Sequence, residues 1–207
     1  PGVVIPEELY AWGYNNVGQL GQGNTTNYSS PVQVGALTTW LNIAAGYYHS
    51  VATTTDGKLY AWGLNNYGQI GDGTTTNRSS PVQVGALTTW SAPSAGTQWS
   101  LSTKTDGTVW TWGMNTYGQL GDGTTTQRLS PVQVGALTTW SQVEAGSFSG
   151  YAIKTDGTFW DWGRNHNGQL GLGNLTDYSS PVQVGALTTW SVLPRMSRSF
   201  APVVLTD

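Results

Sequence analysis

Short runs of alternating apolar residues, separated by turn-forming residues, recur along the whole chain. In residues 59–62 the alternation places Tyr60 and Trp62 on one side of the backbone and Leu59 and Ala61 on the other. A period of two residues predicts a β-strand, and the matching runs predict further strands at 9–12, 109–112 and 159–162.

Each of these runs belongs to a larger unit with four predicted strands. Residues 40–46 predict one strand and residues 51–54 a second. Asp56-Gly57 then favours a tight hairpin into the strand at 59–62. Pro81 opens a fourth strand at 81–84, where proline is tolerated as the first residue.

The unit repeats every 50 residues, which makes repetition the strongest feature of the sequence. The stretch 62–73 returns at 12–23, 112–123 and 162–173, and the block 31–40 recurs without change from 81, 131 and 181. We therefore predict a single domain over 1–207, with repeats at about 9–58, 59–108, 109–158 and 159–207. Four strands per repeat of this length predict a β-propeller or a β-solenoid.

Among propeller families, kelch repeats carry a double glycine that is absent here, and the Trp-Asp dipeptide of WD40 repeats occurs once, at Trp160-Asp161, and does not recur in register in the other copies. The repeat instead resembles that of the regulator of chromosome condensation family. The matching residues are Ala45-Gly46, His49, Ala52, Asp56-Gly57, Leu59-Tyr60, Trp62-Gly63, Asn65, Gly68–Gly71 and Gly73. The resemblance covers the chain after Glu8 and implies an all-β fold, a β-propeller built from four-stranded antiparallel blades.

The sequence also departs from the family pattern. The family histidine is present only as His49, and Trp99, Ser149 and Ser199 stand in its place elsewhere. The usual family ring has seven blades, whereas this chain has four repeats. Residues 191–207 and 9–12 read as complementary halves of one blade.

Three arrangements could join these halves: a four-blade ring closed on itself, two chains joined head to tail, or further repeats in a longer chain. Nearly identical blade interfaces should keep the family's angle between blades, which a four-blade ring would not. We therefore expect completion by another chain through self-association of the ends, or by further sequence.

Composition narrows the function. The eight basic residues are scattered and the net charge is −3, so we expect no nucleic-acid partner. No apolar run approaches the length of a membrane span, so we expect no membrane partner. Cysteine is absent, which excludes disulfides and thiolate metal sites.

Each candidate for chemistry has a simpler interpretation. The glycine-rich 18–23 stretch lacks the lysine and the following helix of a phosphate-binding loop. Asp72 and Asp122 are replaced by other residues in the remaining copies, which argues against a calcium site. His49 is more typical of a structural hydrogen-bonding residue than of a catalytic one. We predict no catalytic, cofactor or metal site, and hence no enzyme.

The four copies differ at residues 47–50 and at the residue that follows Trp-Gly, while the block 31–40 does not change. Aromatic and arginine residues at varied positions on a uniform scaffold are typical of a protein-binding surface, although drift at permissive loop sites explains the variation equally well. The candidate partner-binding residues are Tyr47, Tyr48, Trp99, Phe148, Arg164, Arg198 and Phe200.

These observations favour a non-enzymatic protein-binding or structural module with an unknown protein partner and no cofactor. Low charge and richness in Thr, Asn, Ser and Gly favour an extracellular, cell-surface or virion-appendage setting. Guanine-nucleotide exchange is an alternative that the family resemblance implies, although the strict repeat leaves no room for the insertion it requires. An enzyme-inhibitor propeller is another.

Overall fold

The computed structural model describes residues 8–193 and the short strand Val204–Leu205, and its regular structure is entirely β. The first eight strands are β1 Tyr10–Gly13, β2 Tyr28–Gln33, β3 Trp40–Ala45, β4 His49–Thr54, β5 Leu59–Gly63, β6 Arg78–Gln83, β7 Trp90–Ala95 and β8 Trp99–Lys104. The other eight are β9 Val109–Gly113, β10 Arg128–Gln133, β11 Trp140–Ala145, β12 Ser149–Lys154, β13 Phe159–Gly163, β14 Tyr178–Gln183, β15 Trp190–Val192 and β16 Val204–Leu205.

These strands form blades of antiparallel neighbours in sequence order. Three sheets are complete, with four strands each: β3–β6, β7–β10 and β11–β14. Two sheets have two strands each, β1–β2 and β15–β16. The predicted all-β class and the four-stranded antiparallel blade are both confirmed.

The strands lie close to their predicted positions, with one informative difference. Pro81 was predicted to open a strand, but it is the fourth residue of β6, which begins at Arg78. The pairing with β5 runs from Ala61↔Val82 to Gly63↔Arg78, so the register shifts around Pro81. Because β6 is the outer edge strand of its blade, a proline without an N–H donor is tolerated there.

The core lies between blades, since both faces of each complete blade are covered. Leu59 and Ala61 pack in the cluster shared with the following blade, together with Trp112. Tyr60 and Trp62, on the other face of β5, pack with the preceding half-blade. The predicted alternation is therefore correct, but both faces point into apolar clusters. Each junction between blades is in effect a small hydrophobic core.

A buried asparagine organises the long loop that follows the third strand of each blade. Asn65 is fully buried, and its side-chain oxygen accepts a hydrogen bond from the Ile70 backbone N–H at 2.9 Å. Its amide nitrogen donates to the backbone carbonyls of Thr74 and Thr76, each at 3.0 Å. One side chain thus satisfies three loop groups, which holds the loop in shape without regular structure.

The strand directions give the blades two distinct ends. The turns at 46–48, 96–98 and 146–148 lie with the long loops 64–77, 114–127 and 164–177 at one end, which we call the loop end. The Asp-Gly turns and the 84–89 and 134–139 connections lie at the opposite end, where Trp90 N–H donates to the Gly57 carbonyl at 3.0 Å. We call it the hairpin end. The described residues contain no helix with the length and apolar character needed to cross a membrane.

One residue conflicts with its environment. Asp161 is 1% exposed, and neither of its carboxylate oxygens has a hydrogen-bond partner among the described residues. Burial raises the pKa of Asp161 well above its ordinary value. The equivalent residue of the preceding blade, Thr111, donates its hydroxyl to the Leu120 carbonyl at 2.6 Å. The fold therefore accommodates a small donor at this position better than a carboxylate.

We expect Asp161→Thr to stabilise the protein at pH 7 by about 1–3 kcal/mol, the usual range for an unsatisfied buried polar group. Because the pKa of Asp161 is raised in the folded state, the unfolded chain releases this proton at a lower pH than the folded chain does, so this residue lowers stability as pH rises above about pH 4. Urea denaturation should show a larger gain at pH 7 than at pH 4. The reverse exchange, Thr111→Asp, should destabilise with the same pH dependence; equal effects at both pH values would contradict the assignment.

Candidate functional site

The two groups of varied positions meet at the loop end because a backbone hydrogen bond joins them in each blade. Leu64 N–H donates to the Tyr48 carbonyl at 2.8 Å, and Arg164 N–H donates to the Phe148 carbonyl at 2.9 Å. The turn after the first strand and the residue after Trp-Gly therefore lie side by side. Residues far apart in the sequence form one edge of the blade.

In the third complete blade this edge carries an aromatic–arginine cluster. The Arg164 guanidinium lies 5.1 Å from the ring centroid of Tyr117 and 5.8 Å from that of Phe148. The two rings are 5.5 Å apart in an edge-on arrangement. A guanidinium within about 6 Å of an aromatic face is attracted by the ring's quadrupole. Arg164 bridges two neighbouring blades, since Tyr117 follows β9 and Phe148 precedes β12.

Hydrogen bonds orient this arginine further. Arg164 Nε donates to His166 Nδ1 at 3.3 Å, and His166 Nε2 lies 3.1 Å from the Asp177 carboxylate. His166 also packs edge-on against Tyr117 at 5.5 Å. Because Nδ1 accepts this hydrogen bond, the ring proton is on Nε2, and the Nε2–H faces the Asp177 carboxylate. The terminal guanidinium nitrogens of Arg164 have no hydrogen-bond partner within the described part of the chain, so they remain available to a ligand.

A tyrosine cluster occupies the corresponding edge near the start of the chain. Tyr47 and Tyr48 lie 4.4 Å apart with their rings nearly perpendicular, and Tyr14 lies 6.4 Å from Tyr48. Tyr47 is 53% exposed and Tyr14 is 54% exposed. Exposed aromatic rings with a polar tip supply large contact area at a low cost in conformational entropy.

A cleft connects residues of the two clusters. Its volume is about 280 Å³, and Tyr47, Phe148 and Arg164 contribute to its walls. The other lining residues are polar: Thr97, Ser147, Ser149, Asn167 and Gln169. The structure thus places three of the predicted partner-binding residues around one concavity, and Tyr48 beside it.

The prediction that Trp99 contacts a partner is wrong. Its side chain is fully buried and its indole nitrogen donates to the Gly146 carbonyl at 3.2 Å, so it packs between blades and cannot contact a partner. Arg198 and Phe200 lie outside the described residues. Sequence reasoning missed Tyr117 and His166, although comparing residues 16 and 17 with their equivalents in the other three copies shows that both positions vary.

The residues considered for chemistry have structural roles. Asp72 accepts a hydrogen bond from Arg78 Nε at 2.7 Å, and Asp122 accepts the same bond from Arg128. His49 Nε2 lies 2.9 Å from Ser100 Oγ, which confirms its role as a structural hydrogen-bonding residue. Within the described ranges no three acidic or histidine side chains are grouped as a metal ion would require.

The stacked antiparallel blades define a β-propeller made of tandem repeats. Its loop end carries the varied residues and the cleft, whereas the rest of the blades is nearly uniform in sequence. The model of the regulator of chromosome condensation (RCC1) repeat matches residues 7–53, 56–102, 106–153 and 156–193. The chain belongs to this family.

Solved structures confirm the fold. Human WBSCR16 is 23% identical with a TM-score of 0.85, and Prp20p from Saccharomyces cerevisiae is 23% identical with a TM-score of 0.82. The alignments cover 98% and 97% of this chain, but only 54% and 52% of those two chains. The chain therefore spans about half the length of these structural neighbours.

Proposed function

We propose that this chain is a non-enzymatic protein-binding module and that its partner docks at the loop end, in the cleft between Tyr47, Phe148 and Arg164. The observation that carries the proposal is the convergence of varied aromatic and arginine residues on one concavity, over blades whose remaining sequence is nearly uniform. Aromatic residues and arginine are the types that dominate binding energy at protein interfaces.

The cleft also suggests what the partner presents. The rings of Phe148 and Tyr117 supply apolar area, and Arg164 supplies a positive charge held by those rings and by His166. A carboxylate flanked by apolar side chains is the complementary chemistry, because a guanidinium pairs with a carboxylate in a fork-shaped arrangement. We therefore propose an acidic, partly apolar segment of a protein.

The structural neighbours support a protein as the partner class. The yeast neighbour Prp20p has been studied for binding to Gsp1p and histones, and in another structure it is bound by Kap60. Those partners belong to that protein. Nucleotide exchange and enzyme inhibition are alternative functions that would also act through protein binding. Neither alternative has more support than simple binding.

The proposed setting remains an exposed one, extracellular, at a cell surface or on a virion. This part of the proposal rests on low charge and on a polar, cysteine-free composition. Immunogold labelling of intact source particles or cells would test it, with surface label as the expected result. Label confined to permeabilised samples would contradict it.

The docking site is tested by photo-crosslinking. A benzophenone amino acid is placed at Thr97 or Asn167, which line the cleft without belonging to the aromatic–arginine cluster. The control position is Leu137, which is 42% exposed at the hairpin end. We expect a specific crosslinked protein from the cleft positions and none from Leu137. Equal or stronger crosslinking from the hairpin end would contradict the proposal.

A further inference from the structure

The three interior junctions between blades repeat the same contacts. In each one, the indole N–H of a tryptophan donates to the backbone carbonyl of a glutamine in the preceding blade. The pairs are Trp62 to Gln19 at 3.0 Å, Trp112 to Gln69 at 2.9 Å and Trp162 to Gln119 at 2.9 Å. All three tryptophans are at most 1% exposed. This tryptophan–carbonyl contact is therefore a constant feature of how one blade joins the next.

A second contact accompanies it. A loop glycine donates its backbone N–H to a carbonyl at the start of the next blade's outer strand. The pairs are Gly23 to Ser79 at 2.7 Å, Gly73 to Leu129 at 2.9 Å and Gly123 to Ser179 at 2.8 Å. Neighbouring backbones approach so closely here that a Cβ on Gly18 or Gly118 would lie 2.5 Å from a serine Cα of the next blade.

At the β1–β2 edge one half of this junction is exposed. Trp12 is the repeat equivalent of Trp62, yet it is 59% exposed. Ser29, the equivalent of Ser79, is exposed as well. Within the described residues β1 pairs with β2 alone, whereas its equivalent β5 pairs on both sides. This edge therefore presents a tryptophan, a carbonyl and a strand edge of the kind that the interior junctions bury.

The edge formed by β14 and the loop 164–173 presents the other half. A Cβ on Gly121 would lie 2.8 Å from the Trp162 indole nitrogen, but among the described residues one on Gly171 would meet only Val184, at 3.4 Å. A Cβ on Gly168 would likewise meet only Leu175 in the described part of the chain, at 3.7 Å. Next to this surface the described residues of the sheet β15–β16 form two strands, where a complete blade has four.

We propose that two copies of this chain join head to tail, with Trp12 of each copy packed against the 168–173 loop of the other. The indole of Trp12 then donates to the carbonyl of Gln169 in the second copy, as Trp62 does to Gln19. At each junction β1–β2 of one copy lies beside β15–β16 of the other and completes a four-stranded blade. Two junctions close a ring of about eight blades, which lies within the range of known propellers.

The two exposed edges are complementary to each other, so a second copy of this chain can occupy both of them. Both halves of the junction are on the same chain, and their residues repeat those of the buried interior junctions. Exposed strand edges also favour pairing with another strand. The proposal is independent of the partner proposed for the cleft.

Two variants each disrupt one half of the proposed junction between copies. Trp12→Ala removes the exposed indole and leaves the interior junctions intact. Gly168→Asn adds a side chain where the second copy's backbone would approach. Asparagine tolerates positive φ better than most residues, and Gly168 has a φ of 73°, so this variant should still fold. Leu137→Ala, at the exposed hairpin end of an interior blade, is the matched control.

Light scattering coupled to size exclusion should give the 207-residue chain twice the mass of 22.1 kDa, and the same for Leu137→Ala. Trp12→Ala and Gly168→Asn should each raise the dissociation constant at least tenfold and give single chains. An equimolar mixture of these two variants keeps one intact junction, so it should form a pair that is weaker than the native one. Thermal melts verify that each variant is folded.

Three results would overturn the proposal. The first is a native chain that remains a single copy at about 100 µM, far above the range in which a specific interface of this kind should form. The second is a dimer that neither edge variant weakens. The third is a ladder of growing oligomers, which would mean that the junction does not close into a ring.

Discussion

Replacing Trp112 with alanine is expected to lower the free energy of unfolding by about 3–5 kcal/mol, the usual cost of truncating a buried tryptophan. Trp112 is fully buried and packs 6.1 Å from Trp90 between two blades. Its indole N–H also donates to the Gln69 carbonyl at 2.9 Å. The substitution therefore leaves a cavity and removes one of the two side-chain hydrogen bonds that the Gln69 carbonyl accepts, the other coming from the Ser100 hydroxyl.

Trp12→Ala is the matched control, because it removes the same residue type from the same repeat position. Trp12 is 59% exposed, so its loss should cost less than about 1 kcal/mol within a single chain. Urea denaturation in the Gly168→Asn background measures both substitutions without a contribution from chain association. Equal losses at the two positions would contradict the view that blade junctions form the core.

The free energy of unfolding should also depend strongly on pH because of His49. This ring is 1% exposed, and burial lowers the pKa of His49 to about 4. Ser100 donates its only hydroxyl proton to the Gln69 carbonyl at 2.7 Å, so His49 Nε2 must be the donor in the bond to Ser100. His49 Nδ1 has no partner among the described residues, and a proton there would be buried without an acceptor.

Because the unfolded chain binds this proton near pH 6.5 and the folded chain only near pH 4, stability falls as pH drops through that window. We expect a loss of about 3 kcal/mol between the two limits, at about 1.4 kcal/mol per pH unit. His49→Trp should abolish this part of the pH profile, since Trp99 already occupies the equivalent position in the next blade. Chemical denaturation from pH 7 to pH 4 measures it; identical profiles for the two proteins would contradict the assignment.

Much of the fold follows from local pattern. The alternation at 59–62 and the Asp56-Gly57 hairpin depend only on neighbouring residues, so they could be predicted from the sequence. The 50-residue period is visible by comparing the copies with one another. The alternation could not show that both strand faces are buried, because that depends on blades stacked on either side. Trp99 was assigned to the surface for the same reason: an aromatic at a varied position is equally compatible with packing between blades.

The candidate site was only partly predictable. Tyr47, Phe148 and Arg164 could be proposed as candidates from the sequence because their positions vary among otherwise uniform copies. Their convergence on one cleft depends on the angle between blades, which no single repeat encodes. Tyr117 and His166 contribute to the cluster across a blade boundary, and the conflict at Asp161 becomes visible only when its burial is known.

Titrating the crosslinked partner against cleft variants shows whether the loop-end cleft binds the protein partner. Phe148→Ala and Arg164→Ala should each weaken binding by about 2 kcal/mol, roughly 30-fold in Kd. Leu137→Ala, at the hairpin end, should bind like the native chain, and all three should keep the native melting temperature within a few degrees. Affinities of both cleft variants within twofold of the native value would contradict the claim.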